Sequence, residues 1–339
     1  MQVERSVRTQ TLALALTLLG ACQPTTTMNP TDASVAAALP PLDTTGTERV
    51  IAIPRAVTGV EGIAIDPRTR SLFVGEWRAG AIFRAVLPRG DTPASFETFS
   101  PRGADGRSDV VGLTVDERRR RLVAAGGTDH HVYVYDIDRA TLVAAVPLAL
   151  DVGAIINDVA VAPDGTIFAT VSAQTPVVYS ITLEPQPRAE IFVDYSSATV
   201  IPVEVRDLLL NGLVASDTAV LVCHTSTGQL FRIDRATRAI TELNTGRREV
   251  GRDGLAVVGD LLIAVDIEMF SSSSRERLTL TRLGAGWRTA VFERELLNAA
   301  FYTPTTLAVL DDRLYVLNAK FGAPPSALPF TVFSLPLPR

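Results

Sequence analysis

The sequence predicts an all-β fold, a six-bladed β-propeller, on three observations. A short motif recurs six times, strand-like runs follow each copy, and no long helical period appears anywhere. The motif is a small or polar residue, a Gly-like position, then apolar-small-apolar. Its copies begin at Glu61, Val111, Asn157, Asn211, Asp253 and Thr305, spaced 50, 46, 54, 42 and 52 residues apart.

After each copy comes a turn signal, such as Asp66-Pro67 or Pro163-Asp164-Gly165, and then a second apolar run at 72–75, 121–125, 166–170, 219–223, 261–265 and 313–318. Third runs follow at 81–87, 131–137, 177–183, 229–233, 278–283 and 330–335. Five units add a fourth run, at 95–100, 142–148, 189–195, 239–245 and 288–294, and the sixth runs out of chain. Four antiparallel strands per repeat and six repeats give six blades around a channel. The strand-like segment 49–54 is the expected donor of the missing outer strand of blade six, closing the ring and covering two edges.

Residues 49–339 are therefore expected to form one propeller domain. Residues 1–21 read as an export signal, with Arg5 and Arg8 ahead of an apolar run too short to span a bilayer. Leu19-Gly20-Ala21-Cys22 has the pattern of a bacterial lipobox, so Cys22 is the expected lipidation site. The expected location is then the bacterial cell envelope, facing periplasm or exterior, with membrane contact only through that lipid. Residues 22–48, rich in Thr, Pro and Ala without an apolar period, are expected to be a flexible tether.

Composition narrows the function. The chain is 47% hydrophobic and 20% charged, which excludes wholesale disorder, and its net charge of −5 with scattered basic residues argues against nucleic acid as a partner. Two cysteines and three histidines are too few for a disulfide scaffold, a thiolate zinc cluster or a His-rich centre.

In a propeller the first strand of each blade lines the channel. Glu61, Asn157, Asn211 and Asp253 then offer two carboxylates and two amide oxygens at one level of one tunnel. That donor set suits a single hard divalent cation, best Ca2+. The competing reading is local, because Asn211-Gly212 and Asp253-Gly254 are also strong turn signals. The loops between second and third strands should form the rim, with Glu76 and Trp77, residues 128–131, His224 to Gly228, 268–277 and 320–326. His224 is a possible rim proton carrier, Cys223 an inert packed thiol, and Ser271 to Ser274 a mobile loop.

The segments around Glu61-Gly62, Asn157-Asp158, Asn211-Gly212 and Asp253-Gly254 resemble the metal-site motifs of the senescence marker protein/gluconolactonase/regucalcin family. The resemblance covers the propeller from about Arg49 onward, in the same order and at similar spacing. It implies a divalent cation held by Glu61, Asn211 and Asp253, with Asn157 contacting substrate or completing the metal shell. It also implies Asp253 as base or nucleophile. The chain departs from the family pattern at Ile63, Ile155, Val159, Leu210 and Arg252. Ile155 stands where a basic residue is usual, which argues against a polyhydroxylated sugar lactone and for a more apolar pocket wall. Two functions follow as expectations: a metal-dependent hydrolase of lactones or related esters, or a non-catalytic cell-envelope propeller that binds a protein or carbohydrate partner on its rim.

Overall fold

The computed structural model describes residues 38–89, 94–173, 176–196, 210–267 and 276–338. The expected signal segment 1–21, Cys22, and the rim stretch 268–275 with Ser271 to Ser274 lie outside the described residues. Two strands, β1 (Leu42–Asp43) and β2 (Arg49–Ala52), precede the ring. Blade one is β3 (Val60–Asp66), β4 (Ser71–Glu76), β5 (Ile82–Val86) and β6 (Phe96–Ser100). Blade two is β7 (Leu113–Asp116), β8 (Arg121–Ala125), β9 (His131–Asp136) and β10 (Thr141–Pro147). Blade three is β11 (Ile155–Val161), β12 (Ile167–Ser172), β13 (Val177–Thr182) and β14 (Arg188–Asp194). Blade four is β15 (Leu210–Ala215), β16 (Ala219–His224), β17 (Gln229–Asp234) and β18 (Ile240–Glu242). Blade five is β19 (Arg252–Val258), β20 (Leu261–Asp266), β21 (Arg277–Leu283) and β22 (Ala290–Leu297). Blade six is β23 (Pro304–Leu310), β24 (Arg313–Asn318) and β25 (Thr331–Pro336).

Each blade is an antiparallel meander, and the first strands contact one another in cyclic order β3, β7, β11, β15, β19, β23 and back to β3. This is the expected six-bladed propeller. β2 supplies the fourth strand of blade six, pairing antiparallel with β25 through Arg49 opposite Ser334 and Ala52 opposite Thr331. Every interface between adjacent blades encloses its own apolar cluster, built from the alternate faces of the strands on each side. Residue faces with period two thus explain why second strands are buried throughout while outer strands such as β10 alternate toward solvent.

The expected tether is corrected at its C-terminal end. β1 pairs parallel with β22, adding a fifth strand to blade five, with Leu42 opposite Leu296. The Thr44 amide and hydroxyl both donate to the Leu297 carbonyl at 2.8 Å. Asn298 Nδ2 donates to the Thr44 carbonyl at 3.0 Å and to Glu48 Oε2 at 3.1 Å. Backbone pairing and a buried amide hold this segment where composition showed no apolar period.

Candidate functional site

The motif positions form a bulge in the first strand of most blades. The pairing register slips between Val60 and Ile63, Ile156 and Val159, Leu210 and Leu213, and Arg252 and Leu255, so the extra residue falls at Glu61-Gly62, Asn157-Asp158, Asn211-Gly212 and Asp253-Gly254. None of these glycines has positive φ, which removes the turn reading of Asn211-Gly212 and Asp253-Gly254. Their role is close approach. A Cβ at Gly62 would lie 2.0 Å from the Val111 carbonyl oxygen of blade two, and one at Gly212 would lie 2.2 Å from the Asp253 carbonyl oxygen of blade five. One at Gly254 would lie 2.6 Å from Thr306 Cα of blade six. The repeat therefore records where neighbouring blades touch at the axis.

These bulges are held by bonds between blades. The Gly112 amide donates to the Asn157 carbonyl at 2.8 Å, Thr170 Oγ1 to the Asn211 carbonyl at 2.8 Å, and Thr305 Oγ1 to the Glu61 carbonyl at 2.7 Å. Cys223 Sγ lies 3.0 Å from the Asp253 carbonyl oxygen. The thiol is fully buried and burial pushes its pKa well up, as expected of an inert packed cysteine.

Around the axis the structure groups Glu61, Asp158 and Asp253. Asp253 and Asn211 are buried, while Glu61, Asn157 and Asp158 are half-buried in the channel. Burial pushes the Glu61 carboxyl well up, and the negative charges of Asp253, Asp158 and Asp109 push it further. Asp253 is also held well up by burial and by Asp158, against a partial offset from its hydrogen bond with Asn211. Asp158 is pushed up to about 7 by burial, although its carboxylate accepts from the Val159 amide at 2.8 Å and the Leu213 amide at 3.3 Å. Among the described residues no Lys or Arg hydrogen bonds to any of the three.

The two amides complete the ring. Asn211 Nδ2 donates to Thr225 Oγ1 at 3.2 Å, and Thr225 Oγ1 in turn donates to the Arg252 carbonyl at 2.7 Å. With its amide N–H groups directed to Thr225 and Asp253, Asn211 is left its carbonyl oxygen to offer a ligand. Asn157 Oδ1 is buried with no hydrogen-bond partner. Below the ring the first strands of all six blades line a channel of about 400 Å³ together with Trp287; Asp158, Thr114 and Thr306 are its polar lining residues and the rest of the lining is aliphatic.

Asp158 was missed from the sequence because it occupies the Gly-like position of its motif copy. A carboxylate where four copies carry glycine was the available signal. Asp109 was missed too; it is buried, accepts from the Arg78 amide at 2.9 Å, and is pushed up chiefly by burial. Two rim expectations are corrected, and Arg252, where the chain departs from the family pattern, is placed as well. His224 is fully buried at the end of β16, with Nδ1 accepting from the Thr227 amide at 3.3 Å, so it braces a turn inside blade four. Glu76 is fully buried and paired with Arg102 at 2.7 Å, which takes it out of the rim chemistry. Arg252 lies buried against Asp266 at 3.4 Å and Thr279 at 3.2 Å, so it does not enter the channel.

The donor set fits a hard cation in kind. The unpartnered Asn157 oxygen and the carboxylates without a cation are groups that burial penalises unless an ion or proton compensates them. Among the described residues no three His, Cys, Asp or Glu side chains converge tightly enough to make a metal shell alone. The amide oxygens of Asn157 and Asn211 are therefore needed beside Glu61 and Asp253.

No protein-family model matches the sequence, and no curated protein matches it. Solved structures share the fold. A calcium-binding protein, regucalcin, from Agrobacterium tumefaciens superposes with TM-score 0.60 at 15% identity, over 88% of this chain and 95% of that one. A gluconolactonase from Xanthomonas campestris gives 0.57 at 16% identity, over 87% and 91%. The WD40 repeats of RRP9 give 0.58 at 12% identity, over 88% and 99%. The three superpose about equally well, with TM-scores of 0.57 to 0.60, and the likeness establishes the propeller fold.

Proposed function

We propose that this propeller is a hydrolase of lactones or related esters whose ring of Glu61, Asn157, Asn211 and Asp253 holds one divalent cation, Ca2+ by donor chemistry. The observation that carries the reading is the grouping of Glu61, Asp158 and Asp253 at one end of the channel with, among the described residues, no basic side chain bonded to them. Uncompensated buried carboxylates cost stability and recur at functional sites. The regucalcin and gluconolactonase folds add support at the level of architecture.

A bound cation would supply polarisation of the ester carbonyl and charge balance for the ring. The chain's own residues supply the rest. Asn211 fixes Asp253 through its hydrogen bond, and burial raises the proton affinity of Asp253, the direction that strengthens a carboxylate as a base toward water. Glu61 supplies negative charge at the ring and the Asn157 oxygen a neutral donor beside it. The test is metal analysis of purified protein followed by a lactone and ester panel with and without chelator. One equivalent of divalent ion and chelator-sensitive hydrolysis are expected. Absence of both would leave the non-catalytic propeller that binds a protein or carbohydrate partner, a role the RRP9 fold equally accommodates.

A further inference from the structure

Trp77 opens the turn between β4 and β5, and its amide donates to the Gly59 carbonyl at 3.1 Å, two residues ahead of Glu61. Its ring therefore stands at the mouth of the channel on the Glu61 side. Two contacts fix where it points. The ring centroid lies 5.2 Å from that of Phe321 of blade six, and the side chain also packs against the apolar cluster shared by blades two and three. Blades diverge outward from the axis, so a side chain of blade one can reach both neighbours only at its inner end. The guanidinium of exposed Arg78 lies over the Trp77 ring, 4.1 Å from its centroid, which restrains the rotamer further.

Among the described residues, two charged groups beside this pair are already committed, which leaves the exposed Arg78 guanidinium as a polar group at the rings. Lys320 Nζ is already committed to the carbonyls of Ala327 and Pro329, both at 2.8 Å. Glu76 is committed to Arg102 and to the Thr58 amide at 2.9 Å. Ile155, half-buried, opens β11 two residues ahead of Asn157 in blade three. Both Trp77 and Phe321 remain half-exposed, so aromatic surface stays in contact with whatever occupies the mouth.

We infer that Trp77 and Phe321 form an aromatic wall beside the carboxylate ring that selects ligands with an alkyl or aryl group, making alkyl-substituted lactones and esters preferred over polyhydroxylated ones. The catalytic half of this inference rests on the hydrolase reading; the binding half rests on the wall alone. An apolar tail laid against two rings gains buried area, whereas a set of sugar hydroxyls placed there loses more hydrogen bonds to water than the single Arg78 guanidinium can replace.

The chain has two tryptophans, Trp77 and Trp287, so in a Trp287→Phe background all indole emission reports on Trp77. Titration with γ-butyrolactone, γ-decalactone, glucono-δ-lactone and the hydrolysis-resistant 2-pentylcyclopentanone separates the possibilities. A saturable emission change is expected with the two alkylated probes, at about 10-fold or more tighter affinity than with the unsubstituted lactone. Glucono-δ-lactone should give none. In kinetics, Trp77→Ala should lower the preference for γ-decalactone over γ-butyrolactone, as a ratio of kcat/KM, by roughly 10- to 100-fold, and Trp77→Phe should restore most of it. If no lactone is hydrolysed but Trp77 still reports the ketone, the hydrolase reading fails and the apolar wall stands. An emission unresponsive to every apolar probe, or an unchanged preference in a folded Trp77→Ala protein, overturns the inference.

Discussion

Glu61 and Asp66 stand near opposite ends of β3, both carboxylates drawn out of bulk water, and the protein treats them in opposite ways. Asp66 is fully buried and gripped by Arg120 of blade two, whose Nη1 and Nη2 donate at 2.7 and 2.8 Å. Thr69 Oγ1 donates to it at 2.5 Å. Burial alone would raise its pKa, but the bonds from Arg120 and Thr69 together hold it below the usual carboxylate range. Arg120 also pairs with Asp138 at 2.8 Å, so the clasp joins two blades on the face away from the ring. Glu61 meets the reverse: burial, then Asp253, Asp158 and Asp109, all raising it. Blade five also sets arginines against buried carboxylates, Arg252 against Asp266 and Arg277 against Glu249, but there burial outweighs Arg252 and pushes Asp266 up to about 6. The carboxylate that clasps blades one and two is thus given an arginine. Among the described residues the carboxylates of the ring are given none, and the ligand proposed above rests on that contrast.

The largest expected effect lies at the unpaired end. Asp253→Asn should reduce kcat on the best lactone or ester by roughly 10²- to 10⁴-fold, the usual contribution of a general base, with a further loss from weaker metal retention. Asn157→Ala, which removes an oxygen but no charge, should cost much less. Equal activities of wild type and Asp253→Asn would remove Asp253 from the chemistry and leave the ring a binding feature only.

At the paired end the effect falls on stability. Arg120→Ala strands Asp66 in a buried site, and breaking such a pair from one side costs about 3–5 kcal/mol, discounted here because Arg120 is partly exposed. The pH dependence follows from the sign of the shift. The folded pKa of Asp66 lies below its unfolded value of about 3.9, so its stabilisation is present above that value and is lost as pH falls through the folded pKa. The gap in unfolding free energy between wild type and Arg120→Ala should thus be wide at pH 7 and close in acid. A gap independent of pH between 3 and 7 in denaturant melts would show that Arg120 acts through packing rather than charge.

The two ends of β3 were not equally legible. The sixfold motif revealed the ring and its closure, because alternation and turn chemistry are local signals, and β2 was recognisable as an unclaimed strand beside an incomplete blade. The motif residues Glu61, Asn157, Asn211 and Asp253 were legible as one level of a tunnel. The reason for the glycines was not: close approach between blades and a tight turn leave the same dipeptide, and only φ separates them. Arg120 and Asp66 come from different blades, so their pairing has no sequence signature. β1 was hidden for a related reason, since two residues pairing in parallel with Leu296 and Leu297 show no period of their own. His224 was misplaced because a strand end looks like a rim until its depth is known.

Asp158 sharpens the comparison most finely, since it is the charge added at a position that glycine fills in four other blades. Its folded pKa of about 7 lies above the unfolded value, so the associated stability is present below about pH 3.9 and is lost as pH rises toward 7. Asp158→Asn keeps a carbonyl able to accept from the Leu213 amide but removes the charge that raises Glu61 and Asp253. With chelator present, the variant should therefore melt above wild type at pH 8, by about 2–4 °C for each kcal/mol relieved. At pH 5 the gap should be smaller, and below about pH 3.9, where Asp158 is protonated in the folded and unfolded chains alike, the two should nearly coincide. The gain should also shrink when divalent ion is restored at pH 8, because a cation compensates the same charge. A variant that melts lower at pH 8 would mean that the Val159 and Leu213 amides stabilise the Asp158 anion more than its neighbours oppose it, and the contrast between the two ends of β3 would then rest on Glu61 and Asp253 alone.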